Sequence, residues 1–484
     1  MAQRKSTGLA APADLNLKPG IQLALWYAAA RVAGALRPKW RSRGGPRPGP
    51  PSGEPRAVET GISVIIPSRN GKPLLEAQLP GIARELESLT AEIIVADNGS
   101  DDGTAEWLRA AWPQVHIELS HPPLSFARAV NRGIGRARYS HVCLLNNDML
   151  LEPGFFRALV GAFERVPDLF CATAQIHFPE GVRREETGKT VMAQSHPEDF
   201  PIRCDEPLAG EDLSYVLYGS GGCSLYDAAR LRALGGVDQA YEPAYVEDLD
   251  LGYRAWQRGW PSVYVAGAVV EHRHRATTSR YYTHAELERI LEINYLKFLV
   301  RAVASGKLFR KLWRQATRRL RTSVRPALLR TAARMALGGG SPGVTEYSEE
   351  LILALNSGAV AVFPGQVVSG RPRALIVSPY LEFPLSDGGT FQMYNLMRRV
   401  ATDFDPVLVI FTKRLATPPP EILAIAVEVV LVLEESAPAA FRAALHQTVR
   451  KWQPTVAHLA APQMAQYAAD CAPARAILAE PGTS

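Results

Sequence analysis

Apolar residues in this chain recur in two rhythms. Ile62–Ile66, Glu92–Ala96, Val115–Leu119 and His141–Leu145 are short, β-branched runs. Between them lie Leu74–Ser88, Thr104–Trp112 and Phe126–Arg138, with the longer spacing of helices. The short runs predict buried strands. Strands alternating with helices predict parallel pairing in an open α/β sheet. Ligands of such sheets bind at the C-terminal ends of strands. Asp97 closes the second run and Asn146-Asn147-Asp148 the fourth, so two acids fall on one rim.

The flanking pattern divides the chain. Residues 1–60 read as a polar tail, an amphipathic helix over Ile21–Trp40 and a proline-rich linker. That helix either packs on the protein or touches a membrane surface. Ile21–Leu36 is short and holds Arg31, which argues against a membrane span. The main α/β domain is expected over 61–300, ending in a helix at Thr283–Val303. Residues 301–370 read as a basic helical linker, interrupted at Pro326, with apolar Leu308, Leu312, Leu320, Val324 and Leu328. A second α/β unit over 371–484 has strands at Arg373–Pro379, Val407–Phe411 and Val427–Val432, a glycine loop at Leu385–Thr390 and a helix at Phe391–Thr402. Lys189–Pro207 reads as a loop.

Composition narrows the class. A chain of 484 residues with 47% hydrophobic content is globular with ample core. The net charge of +6 is unevenly placed: residues 301–334 hold eleven Lys or Arg and no acid. Such a helix either lies on anionic membrane or packs on its neighbours. No nucleic-acid motif accompanies it, so no nucleic-acid partner is expected. The five cysteines are widely spaced and form no C-x-x-C, which points to reduced thiols in a cytoplasmic protein rather than to zinc or disulfides.

Candidate chemistry centres on Glu247, Asp248 and Asp250, three carboxylates in four residues. Crowded like charges shift one another's pKa. The pattern suits a helix start, where acids complement the dipole, and equally a general base. Asp250 is placed to pair with Arg254 four residues on. Trp256 and Trp260 suit a core aromatic pair better than a sugar platform.

In order and spacing, Ile62–Asn70, Val95–Thr104, Ser125–Ile134, Leu144–Met149 and Tyr245–Arg254 resemble the motifs of family 2 glycosyltransferases with the GT-A fold. The resemblance covers about 62–300. It implies an α/β nucleotide-diphospho-sugar transferase fold with a mostly parallel sheet. It also implies inverting transfer of a sugar from a nucleotide-sugar to a glycan or lipid-linked acceptor, with Mn²⁺ or Mg²⁺.

The same resemblance assigns site residues. Pro67, Ser68, Asn70, Asp97 and Asn98 would line the donor base and ribose, though Asp97 and Asn98 also suit a plain turn. Arg128 would face the donor, unless it is a solvated helix arginine. Asn147 accompanies Asp148, the candidate metal ligand, in a D-x-D motif whose first acid is here Asn146. His272 would complete the metal site, with His274 as the competing position. Gly221 and Gly222 would approach donor sugar and acceptor closely. Asp248 is the implied general base, with Glu247 beside it.

Residues 371–484 resemble the start of a GT-B glycosyltransferase of family 4. The nucleotide-binding half of that fold has no counterpart in this chain, so the unit is expected to be truncated or non-catalytic. Surface polysaccharide synthesis at the inner face of the plasma membrane is the implied setting. A sugar-phosphate nucleotidyltransferase is the rival enzyme, although Ser68-Arg69-Asn70-Gly71-Lys72 is a poor glycine–arginine loop. A non-catalytic membrane-docked scaffold is the rival outside enzymes.

Overall fold

The structure is a computed structural model that describes residues 18–37, 59–179, 188–196, 198–273, 282–338, 345–367, 370–379, 388–434 and 437–478. After α1 (Pro19–Leu36), the first domain opens with β1 (Glu59–Ser68), α2 (Lys72–Leu86), β2 (Ala91–Asp97), α3 (Thr104–Ala111), β3 (His116–Leu119), α4 (Phe126–Arg136) and β4 (Tyr139–Leu145). It continues through β5 (Met149–Leu151), α5 (Phe155–Arg165), β6 (Cys171–His177), β7 (Thr190–Met192), β8 (Ile202–Cys204) and β9 (Tyr215–Val216). It closes with β10 (Cys223–Asp227), α6 (Ala228–Ala233), α7 (Glu247–Gln257) and β11 (Ser262–His272).

The main sheet runs β3-β2-β1-β4-β10-β6-β11-β5, with β9 paired to β11. The first four strands are parallel, as the alternating pattern predicts. Beyond β4 the sheet is mixed: β6 and β11 pair in parallel, but β10 is antiparallel to both β4 and β6, and β5 and β9 are antiparallel to β11. The physical reason is connection length. A parallel pair needs a crossover of about a dozen residues or more, and no helix separates the strands from β6 to β10.

Lys189–Pro207 is not simply a loop. Among its described residues β7 and β8 pair as an antiparallel hairpin. The buried Lys189 ammonium is ion-paired with buried Glu211 at its base. The hairpin is tied to the sheet where Leu217 N–H donates to Thr190 O (3.0 Å) and Thr190 Oγ1 donates to Tyr218 O (2.6 Å).

The basic segment is two helices. After α8 (His284–Arg301) come α9 (Gly306–Thr322) and α10 (Pro326–Gly338), split where Pro326 begins the second. Leu308, Leu312, Leu320 and Leu328 are buried, and only Val324 of the expected apolar stripe is exposed. Helix α1 packs on α9 and α10, and α8 packs on both as well. The apolar side of α9 is therefore protein-covered, as the packing alternative has it.

The second sheet contains β12 (Val360–Pro364), β13 (Arg373–Ser378), β14 (Asp405–Thr412), β15 (Glu428–Leu433), β16 (Val456–Leu459) and β17 (Arg475–Leu478). Its helices are α11 (Glu349–Leu355), α12 (Gly388–Val400), α13 (Pro420–Leu423) and α14 (Ala437–Trp452). From β13 the order runs outward through β14 and β15 on one side and β16 and β17 on the other, all parallel, which is the doubly wound arrangement. β12 joins antiparallel at the edge and comes from the stretch expected to be linker.

The two units share one continuous apolar core. Backbone bonds cross the seam: Asp212 N–H donates to Val362 O (3.1 Å), and Met192 N–H donates to Asn356 O (2.9 Å). Glu349 accepts from Gln257 Nε2 (2.7 Å), Ala304 N–H (2.8 Å) and Ser305 N–H (2.5 Å). None of the five cysteines is in a disulfide; Cys143, Cys171, Cys223 and Cys471 are buried, and Cys204 on β8 is partly exposed.

Candidate active site

The rim of the main sheet begins at Ser68, the last residue of β1. Register places it directly opposite Asp97 at the end of β2. Asp97 is buried; its Oδ1 accepts from Ser100 N–H (3.0 Å), while Oδ2 is buried without a hydrogen-bonding partner. Asp97 thus shapes the following turn with one oxygen and leaves the other unspent. Asn70, in the left-handed region at φ 52°, ties β1 to that turn. Its N–H donates to Ser100 Oγ (2.9 Å), and its Oδ1 accepts from Asp101 N–H (2.9 Å). Pro67 lies within β1 opposite Ala96.

Ser68 also reaches the other side of the rim, where Asn147 Nδ2 donates to its Oγ (2.9 Å). Gly71 has no room for a Cβ, which would strike both of these side chains. The turn carrying Asn146, Asn147 and Asp148 is held from below by Gln78, whose Nε2 donates to Asn146 O (2.6 Å) and Met149 O (2.8 Å). Asp148 is buried, and its Oδ1 lacks a hydrogen-bonding partner. The β5–β11 pairing sets His272 opposite Met149, bringing His272 Nε2 to 3.4 Å from Asp148 Oδ1. That distance is an ionic contact without hydrogen-bond geometry.

One carboxylate and one imidazole can hold a divalent cation whose other ligands are substrate phosphates and water. The unsatisfied Asp148 oxygen fits that use. No group of three His, Cys, Asp or Glu placed to hold a metal occurs among the described residues. His274 lies outside them.

Gly221 and Gly222 join this rim to the acid cluster. A Cβ on Gly222 would come within 2.5 Å of Asn146 Nδ2, and one on Gly221 would lie 3.7 Å from Asp248 Cβ. Helix α7 starts at Glu247, and the two residues before it are both left-handed: Tyr245 at φ 72° and Val246 at φ 76°. That conformation is strained for a β-branched residue, and such strain gathers at functional sites. Glu247 is buried and its Oε2 has no partner. Burial, and then the neighbouring Asp248 charge, push its carboxyl up to about 8. Burial likewise raises Asp248 to about 6, against the pull of the Leu249 and Gly221 N–H groups.

Asp250 separates from its neighbours. It is buried, accepts from Tyr241 OH (2.9 Å) and pairs with Arg254 Nε (2.6 Å), as the four-residue spacing predicts. Trp256 and Trp260 do not stack as a pair: Trp256 is fully buried in the larger core, and Trp260 packs against a different cluster.

Two expected donor contacts have partners within the protein. Asn98 Nδ2 donates to Leu124 O (2.7 Å) and its Oδ1 accepts from Leu124 N–H (2.6 Å), which makes it a brace for the 120–124 segment. Arg128 is half exposed and bound to Glu242 Oε1 (2.6 Å), an acid that also accepts from Ser125 Oγ (2.9 Å) and is held below the usual carboxylate range by Arg128. Glu242 and Gln78 were not legible as site supports, since only the folded backbone brings them to their partners.

Comparison with known proteins places this geometry in a class. Residues 59–286 match the family model described as "Glycosyltransferase like family 2". The match spans somewhat under half of the chain, and over that stretch the chain carries a glycosyltransferase domain. It is 28% identical over 241 residues to N-acetylglucosaminyl-diphospho-decaprenol L-rhamnosyltransferase of Mycobacterium tuberculosis, covering 45% of this chain and 78% of that one. It is 25% identical over 223 residues to validoxylamine A glucosyltransferase of Streptomyces hygroscopicus subsp. jinggangensis, covering 41% and 52%. Among solved structures, mannosyltransferase PcManGT from Pyrobaculum calidifontis, in complex with GDP-Man and Mn²⁺, aligns at 17% identity and TM-score 0.35, over 66% of this chain and 84% of that one. S. aureus TarS in complex with UDP-GlcNAc aligns at 14% identity and TM-score 0.38, over 52% and 69%.

Proposed function

We propose that the domain transfers a sugar with inversion from a nucleotide-sugar to a glycan or lipid-linked acceptor. The observation that carries this reading is a set of three buried carboxylate oxygens that accept no hydrogen bond, Asp97 Oδ2, Asp148 Oδ1 and Glu247 Oε2. Contacts through Ser68, Asn147, Gly221 and Gly222 link them along one sheet edge. Native proteins rarely leave such atoms unsatisfied without a use. The M. tuberculosis relative, whose name specifies a lipid-linked N-acetylglucosaminyl acceptor, supports the acceptor class.

Pro67, Ser68, Asn70 and Asp97 bind the nucleoside, with Asp97 accepting from a base or ribose donor. Asn147, held by Ser68, borders the phosphates. Asp148 and His272 hold the divalent cation, which when bound offsets charge on the departing diphosphate. Gly221 and Gly222 bring the backbone close to Asp248 and Asn146, where it borders the donor sugar. Asp248 takes the proton from the acceptor hydroxyl as that oxygen attacks the anomeric carbon. Glu247, held protonated by burial, keeps a second charge from Asp248. Arg128 remains paired to Glu242. The doubly wound second sheet supports the GT-B-like reading of residues 371–484, as a docked unit rather than a second catalytic centre.

Nucleoside diphosphate release, measured with a panel of nucleotide-sugars and Mn²⁺, tests the reading. Asp248→Asn should lower kcat by roughly 10²–10⁴-fold with less effect on KM. For the wild type, kcat/KM should fall as pH drops through about 6, where Asp248 takes up its proton. Unchanged turnover by the variant removes Asp248 as the base, and pyrophosphate release moves the protein to nucleotidyl transfer.

A further inference from the structure

Helix α1 presents to solvent a face with no polar residue. Ile21, Leu25, Val32 and Leu36 are 48%, 51%, 58% and 38% exposed, and Ala24, Ala28 and Ala35 fill the positions between them. The spacing of three and four makes one continuous stripe along a helix about 27 Å long. The opposite side of α1 is anchored: Ala30, Ala33 and Gly34 are buried, and Trp313 Nε1 of α9 donates to Ala30 O (2.9 Å). The stripe is therefore held rigidly outward.

Beside it lies a row of cations on α9. Lys307, Arg310, Lys311, Arg314, Arg318 and Arg321 are all exposed and share one helix face. The two rows adjoin along their length. The Arg321 guanidinium lies 4.8 Å from the Tyr27 ring, and Arg310 and Arg314 share a recess of about 230 Å³ with Ala35 and Arg31. Lys307 at the far end is paired with exposed Glu350 (3.1 Å).

We propose that this α1–α9 face docks on an anionic bilayer, the stripe of α1 entering the interface and the cations of α9 meeting lipid phosphates. Apolar stripe and cationic flank together are what an interfacial helix needs. Nucleic acid would use the cations and leave the stripe bare. A second copy would cover the stripe but bring two cationic rows together. No described helix is long and apolar enough to cross a membrane, so the contact lies on the surface. The inference does not depend on the transferase reading.

Flotation of the full chain with vesicles of phosphatidylcholine alone or mixed with phosphatidylglycerol tests it. The wild type should float only with the anionic vesicles, and less in high salt. Leu25→Asp with Val32→Asp should abolish flotation. Arg310→Glu, Arg314→Glu and Arg318→Glu together should weaken it by roughly a hundredfold. All substituted side chains are at the surface, and matched thermal melts show that the variants fold. Absence of flotation, equal flotation on neutral vesicles or undiminished flotation of the Asp variant overturns the proposal. So does a wild-type dimer in sedimentation that the Asp variant dissolves without any vesicle binding.

Discussion

At the scale of the residue, the pair Glu247 and Asp248 carries the most chemistry. Both carboxyls bind a proton more tightly in the folded chain than in the unfolded one, because burial disfavours their charge. The sign of the pH effect follows. The native state holds extra protons between the ordinary carboxylate range and about 8, so the stability the pair contributes is present in full at low pH and is lost as pH rises through that window. Glu247→Gln cannot ionise and should melt at a temperature that gains on the wild type as pH rises from about 5 to about 9. Melting curves across that range check it; parallel curves would place the proton elsewhere. Asp250, two residues on from Asp248, shows how steeply environment decides. With Tyr241 and Arg254 on its two oxygens it is spent on structure.

At the scale of the element, close packing positions the site. Helix α7 crosses the 217–218 segment at Gly252, where a Cβ would meet Tyr218 Cβ at 2.5 Å and Leu217 O at 2.7 Å. Gly252→Ala should destabilise by about 1–3 kcal/mol, read from urea midpoints, and lower activity by shifting the start of α7. Element identity was readable wherever β-branched runs alternate with helices, which is why β1, β2, β3 and β4 and the acids at their ends were found from sequence. It failed where the signal is weak or shared. β7 and β8 are too short to show alternation, and β12 is a strand-like run inside what reads as linker. The antiparallel direction of β10 depends on a return path that no local pattern encodes. Asn98 shows the same limit within the site: its motif position suggested a ligand contact, but the distant Leu124 backbone claims both ends of its amide.

At the scale of the whole molecule, the second unit is joined to the first through a shared core. Glu349 gathers Gln257, Ala304 and Ser305 at that joint. Glu349→Ala strands these donors and should cost on the order of 3 kcal/mol, while Glu349→Gln costs less; denaturant titration of the full chain distinguishes the two. A single cooperative transition is expected, since the core is continuous across both units. The distribution of thiols has a practical side. Burial holds the Cys143, Cys171 and Cys471 thiols protonated, with Cys171 pushed up to about 12 and Cys471 up to about 11, and Cys223 is enclosed in the main sheet beside Cys143 and Cys171. Cys204 alone is partly exposed, on the hairpin strand next to Asp205, whose carboxylate faces Gly358 across the seam. A maleimide dye would therefore find one native attachment point, and it would sit where the two units meet, a ready-made optical reporter of whether donor binding in one is felt by the other.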